Sequence, residues 1–78
     1  MHVFMSFADA HTGKNIGCCI VEVDEAEQAN AKCAELGLMP NRCNHAKGYV
    51  LENAADEPME VNRFYTKDEL IEMGYELG

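Results

Sequence analysis

From the amino end, Val3, Met5 and Phe7 fall on one side of an extended chain and Phe4, Ser6 and Ala8 on the other, which predicts a strand with one strongly apolar face. The polar stretch behind it predicts a turn over residues 9–15, with Thr12, Gly13 and Asn15 as pivots. Residues 16–23 are then almost continuously apolar, rich in Ile, Val and Cys, and predict a second strand. So short a polar connection makes the two an antiparallel hairpin.

The period changes at Asp24, a good helix N-cap, with Glu27 three residues later completing a capping-box pattern. Ala26, Ala29, Cys33 and Leu36 recur at spacings of three and four, a narrow face of mostly small residues suited to lying close on a sheet. Gly37 is the natural stop, and Pro40 forbids continuation. Residues 48–52 predict a third strand, so the helix is a right-handed crossover on one sheet face. If the third strand pairs with the first, the order is 2-1-3, all neighbours are antiparallel, and two edges stay available for subunit pairing. Residues 53–60, acidic and containing Pro58, predict a loop. Thr66 and Glu69 form a second capping box, Tyr65 can staple onto Leu70, and a short helix should end at Gly74, with Leu70, Ile71 and Met73 docking on the sheet or on a second subunit. The predicted fold is a single α+β domain over residues 1–78: a three-stranded, mainly antiparallel sheet, one crossover helix and a short C-terminal helix.

A domain of 78 residues buries only roughly 60% of the surface its unfolded chain exposes, so a homo-oligomer is expected. Fourteen acidic residues against six basic ones give a formal net charge of −8, which argues against direct nucleic-acid binding. Two specialised readings of that charge remain beside a plain solvated acidic face: an acidic surface that imitates nucleic acid, or a local basic pocket for a small anion. No apolar run is long enough to span a bilayer, and the amino end lacks the pattern of a signal peptide, so no membrane association, a cytoplasmic location and reduced cysteines are expected.

Candidate chemistry concentrates in residues 36–48, read as a loop that gathers Arg42, Cys43, Asn44, His45 and Lys47. Thiolate and imidazole are good zinc ligands, but Cys43 and His45 lack a Cys-x-x-Cys companion and Cys33 belongs to the buried helix face, so no metal site is assigned. Cys43 with His45 as its base would also need an orienting group and an oxyanion site, and no pattern announces either; no catalytic residue and no cofactor are assigned. Both helix starts carry carboxylates (Asp24, Glu25 and Glu27; Asp68 and Glu69), so a phosphate would have to be held by side chains. Arg42 and Lys47 are the chief candidates, joined by His45, Lys14 or Arg63, with Tyr49, Phe64 or Tyr65 as a stacking surface. The competing reading makes Arg42 and Lys47 solvated loop charges and the aromatic residues core.

The succession of a Thr12-Gly13 turn, a Gly17-x-x-Ile20-Val21-Glu22 strand, an acidic cap, a helix ending Glu35-Leu36-Gly37-Leu38-x-Pro40, a Gly48-Tyr49 strand and a late Asn62-Arg63-Phe64-Tyr65-Thr66-Lys67-Asp68-Glu69-Leu70 segment resembles small accessory proteins encoded by phages and prophages. Those proteins carry a Leu-Gly-Ile-Asn-Pro-Gly-Gly-Glu type of loop, matched here at Leu36, Gly37, Leu38 and Pro40, while Asn41-Arg42-Cys43 stands where the glycines and the acid would be. The resemblance implies stoichiometric binding in the host cytoplasm. The leading expectation is a non-enzymatic counter-defence protein that sequesters a small phosphorylated or nucleotide-like signal at subunit interfaces through Arg42, His45, Lys47 and Tyr49. The alternatives are an anti-CRISPR-like inhibitor that presents Asp56, Glu57 and Glu60 to the basic nucleic-acid groove of a host defence protein, or a plain interaction module.

Overall fold

Alternation at the amino end produces β1 (His2–Asp9), in which Val3, Met5, Phe7 and Asp9 are buried and the residues between them half-buried. The computed structural model describes residues 1–41 and 43–76, with Asn44 and Ala54 described by their backbone alone. The apolar run forms β2 (Asn15–Glu22), antiparallel to β1. Their turn is organised by Asp9, whose Oδ1 accepts from the backbone N–H of His11 at 2.7 Å and of Thr12 at 3.1 Å, while Gly13 takes the left-handed conformation at φ 70°. Asn15 is no pivot; it opens β2 and donates to Ser6 Oγ at 2.7 Å.

Helix formation starts later than the Asp24–Glu27 pattern predicts. Val23 still exchanges hydrogen bonds with Met1, which keeps the chain extended through Glu25 (φ −135°, ψ 146°). The cap therefore moves one residue on: Gln28 Oε1 accepts from Glu25 N–H at 3.1 Å, a 3-10 turn spans Ala26–Gln28, and α1 (Ala29–Glu35) follows. Its end is a Schellman motif, with Gly37 at φ 71°, Gly37 N–H on the Ala34 carbonyl and Leu38 N–H on the Cys33 carbonyl. Ala29 and Cys33 are buried as expected, but Leu36 is 40% exposed and Leu38, beyond the glycine, packs on the core instead.

The remaining elements are β3 (Cys43–Leu51), β4 (Phe64–Thr66) and α2 (Lys67–Glu72). The fold is α+β with an antiparallel sheet of four strands in the order β3-β1-β2-β4 and two short helices. The expected 2-1-3 arrangement recurs inside that order, but the three-strand count is corrected. Residues 64–66 pair with Gly17, Cys18 and Cys19 before Thr66 caps α2, so the outer edge of β2 is occupied there. Gly17 makes the approach possible: a Cβ at this position would collide with the Phe64 ring and lie 2.6 Å from the Tyr65 carbonyl oxygen. The capping box of α2 forms in both directions, Glu69 N–H to Thr66 Oγ1 at 3.2 Å and Thr66 N–H to Glu69 Oε1 at 3.0 Å, and Gly74 at φ 98° ends the helix in a second Schellman motif.

Each sheet face carries its own core. On one, Val3, Met5, Phe7, Cys19 and Val21 meet Ala29 and Cys33 of α1, with Phe64 tilted against Phe7 at 6.2 Å between ring centroids. On the other, Cys18 and Ile20 meet Met59, Tyr65 and Leu70, with Phe4, Leu51, Met73 and Tyr75 at the margin. Tyr65 and Leu70 thus share one cluster, as the staple requires, whereas Ile71 is exposed. The segment 53–60 holds a 3-10 turn (Ala54–Asp56) and is tied down by the Tyr75 hydroxyl, which donates to Glu57 Oε2 at 2.6 Å. No helix among the described residues is long and apolar enough to cross a membrane. Gly17→Ala should cost about 1–3 kcal/mol, because Phe64 or the β4 backbone must shift to admit the methyl group; urea denaturation of the variant checks this, and an unchanged midpoint would refute the close approach.

Candidate functional site

The group of residues read as a loop belongs largely to β3. The strand begins at Cys43 rather than at 48, so His45, Lys47 and Tyr49 lie at alternate positions and share one sheet face. Their cross-strand partners on β1 are Ala8, Ser6 and Phe4. All three side chains are exposed, and they line one shallow groove of about 320 Å³ together with Ser6, Ala8, Gly13, Asn15 and Glu76. Arg42, the fourth residue expected here, lies outside the described residues. Lys14 and Arg63 do not line the groove: Lys14 sits in the exposed β1–β2 turn, and Arg63 lies over the Tyr65 ring at 4.7 Å, with weak contacts of 3.8 Å to Glu60 and Glu69. Phe64 and Tyr65 are core residues, and of the two aromatic residues at the groove Phe7 is fully buried, leaving Tyr49 as its exposed ring.

Three polar residues of the groove, Ser6, Asn15 and Glu76, were not anticipated as site residues. Ser6 stands directly across from Lys47, and Asn15 Nδ2 donates to its hydroxyl oxygen. Asn15 Oδ1 is buried with no hydrogen-bond partner, a costly state for a buried acceptor. The one sign in the sequence was Ser6 itself, a hydroxyl in mid-strand between Met5 and Phe7. The groove sets the Lys47 ammonium against the single carboxylate of Glu76, with the His45 ring beside them. A larger depression of about 470 Å³ lies by the amino terminus and α1, but the three carboxylates of Glu22, Asp24 and Glu35 line it against Lys32 and the Met1 ammonium, so its balance is acidic.

The cysteines divide by burial. Cys43 packs toward the α1-side core, and its Sγ donates to the His45 carbonyl at 3.3 Å. The β1–β3 register shifts where Ala8 and Asp9 face His45 and Cys43, so β3 carries one extra residue between those two and simple alternation breaks there; the thiol meets a backbone oxygen rather than the imidazole. Cys19 and Cys33 bring their Sγ atoms to 3.6 Å across the β2–α1 contact. Among the described residues, no three His, Cys, Asp or Glu side chains converge as a metal site. Of the acids considered for docking on a basic partner, Asp56 is exposed, Glu57 accepts from Tyr75, and Glu60 lies 3.8 Å from Arg63.

Comparison with protein-family models, with curated proteins and with solved structures finds no match to this chain.

Burial pushes the Cys18 thiol above its ordinary value of 9.0, against a smaller opposing effect of its hydrogen bonds with Asn15 and Ser6. A thiol whose folded value is raised contributes stability that is fully present below its unfolded value and is lost as pH rises through the folded one. The urea midpoint should therefore hold up to about pH 9 and fall steadily beyond it. Cys18→Ala should reduce that alkaline slope; a slope unchanged by the substitution would show that Cys18 does not carry it.

Proposed function

We propose that this protein is a non-enzymatic binding protein that sequesters a small phosphorylated, nucleotide-like ligand in the groove beside β3, in the manner of a phage-type counter-defence protein. The observation that carries the reading is the alternation of β3, which sets His45, Lys47 and Tyr49 on one face beside Ser6 and Asn15. Lys47 supplies a point charge for a phosphoryl group. The Ser6 hydroxyl, which accepts from Asn15, stands across from Lys47 and adds a polar group at the phosphoryl position. Tyr49, 56% exposed, offers a ring face to a base or sugar, and His45 adds a ring nitrogen. A volume near 320 Å³ falls at the lower end of the roughly 300–1,000 Å³ of small-molecule pockets.

Glu76 narrows the ligand class. One carboxylate opposite one ammonium disfavours a polyphosphate and favours a ligand that brings a single phosphate to Lys47 and a hydroxyl or amine donor to Glu76. A nucleoside monophosphate has that distribution. The rival reading, an acidic inhibitor of a basic groove, has less support because Glu57 and Glu60 already have partners within the chain.

Isothermal calorimetry with AMP, and with inorganic phosphate as the minimal probe, tests the proposal. AMP should bind the wild type, and Lys47→Ala should weaken binding about tenfold or more, the loss expected of one charge-assisted hydrogen bond, while its thermal melt stays unchanged. Absence of heat with both probes, together with absence of any nucleotide released on denaturing the purified protein, would remove the reading.

A further inference from the structure

The two edges of the sheet differ. β4 is three residues long, while β3 runs for nine and pairs, among the described residues, on its β1 side alone. Long edges are usually blunted by proline, by charge or by shortness. β3 has no proline and no acid, Lys47 is its one full charge, and Tyr49 and Val50, on opposite faces, are each 56% exposed. It also lies within residues 36–51, the longest stretch of this −8 chain without an Asp or Glu.

The hydrogen-bonding phase of the edge follows from the far end of the hairpin. Met1 and Val23 exchange both backbone hydrogen bonds, so odd residues of β1 bond toward β2 and even ones toward β3. The partners of those even residues are Leu51, Tyr49, Lys47 and His45, which leaves Ala46, Gly48 and Val50 directing their N–H and C=O groups to the open side.

We propose that this edge is the dimer interface: β3 pairs antiparallel with β3 of a second copy about a twofold axis at Gly48, joining two four-stranded sheets into one of eight. In this register Ala46 faces the partner's Val50, Gly48 faces the partner's Gly48, and every outward backbone group of the three residues is satisfied. Lys47 lies beside the partner's Tyr49, a cation against a ring. Centring the axis on Lys47 would instead oppose two ammonium groups, and centring it on Tyr49 would set Ala46 opposite the partner's Glu52 and shorten the ladder. The twofold keeps corresponding faces on the same side, so the partner's Tyr49 joins the groove that holds Lys47. The acid-free edge is also where two anionic chains meet with least repulsion.

A strand ladder of this length buries less than the about 1,600 Å² of a standard interface, so the dimer should be concentration-dependent. Analytical ultracentrifugation of the ligand-free full chain tests the pairing apart from any ligand. The wild type should approach twice its 8.7 kDa chain mass as concentration rises. Val50→Pro, which removes an outward N–H that bonds nothing among the described residues, should remain monomeric with an unchanged circular dichroism spectrum. Tyr49→Glu should still dimerise, since the new carboxylate meets the partner's Lys47, whereas Tyr49→Glu combined with Lys47→Glu should not. A monomeric wild type, a dimeric Val50→Pro or a dimeric double variant would overturn the interface, and a monomeric Tyr49→Glu would overturn the register. Should Val50→Pro fail to fold, amide exchange in the wild type decides: the Ala46, Gly48 and Val50 amides must become protected as concentration rises, and constant rates would overturn the proposal.

Discussion

The constraint on which this fold turns is the burial of β2 on both of its faces. Cys18, Cys19, Ile20 and Val21 are all inaccessible to solvent, so one short strand obliges the chain to build a cover on each side of the sheet. The covers differ in thickness. On the α1 side small residues meet small residues, Cys19 against Cys33 and Ala29, and the helix lies close enough for two sulfur atoms to touch. On the other side α2 is only six residues long, and large groups bridge the distance: Leu70, Tyr65 and Met59. The hydrogen bond from Glu60 N–H to the Tyr65 hydroxyl and that from Asn62 N–H to the Ile20 carbonyl lash the approach to β4 onto the same strand. A chain of 78 residues cannot spread such covers over the whole sheet, and they are spent on β2 and β1, leaving β3 largely bare.

Much of the scaffold was legible because its signals are local. The hairpin, both glycine helix stops and the Thr66–Glu69 cap each depend on residues within a few positions of one another. What escaped were features decided elsewhere. The start of α1 moved because Val23 pairs with Met1, twenty-two residues away in sequence. β4 escaped because three residues are too few to show a period and Thr66 serves strand and cap at once. Gly17 was its visible sign, since a glycine inside an apolar strand marks a place where something comes close.

The site was misread for a related reason. Residues 43–47 look like a polar loop because the alternation that would betray a strand sets small or polar groups on both faces: Ala46 toward α1, and His45 and Lys47 toward the groove. A strand whose polar side faces open solvent has no core to enforce an apolar period, so the sequence loses its strand signature where side chains are free to serve another purpose. The candidate residues were legible, but their geometry was not. As a strand, this segment holds its side chains to the spacing of the pleat, which is the rigidity that a site with few groups requires.

The same bareness bears on the charge of the chain. The fourteen acids are distributed so that residues 36–51 carry none. A protected edge usually carries several charges or a proline, whereas β3 carries one full charge, Lys47, over nine residues. Acids there would also cancel the Lys47 ammonium in the groove. Binding an anion on one face of the strand and admitting a second backbone along its edge therefore impose the same demand on composition. The run from 36 to 51, free of acids in a chain of net charge −8, is the one long stretch whose composition suits both proposals.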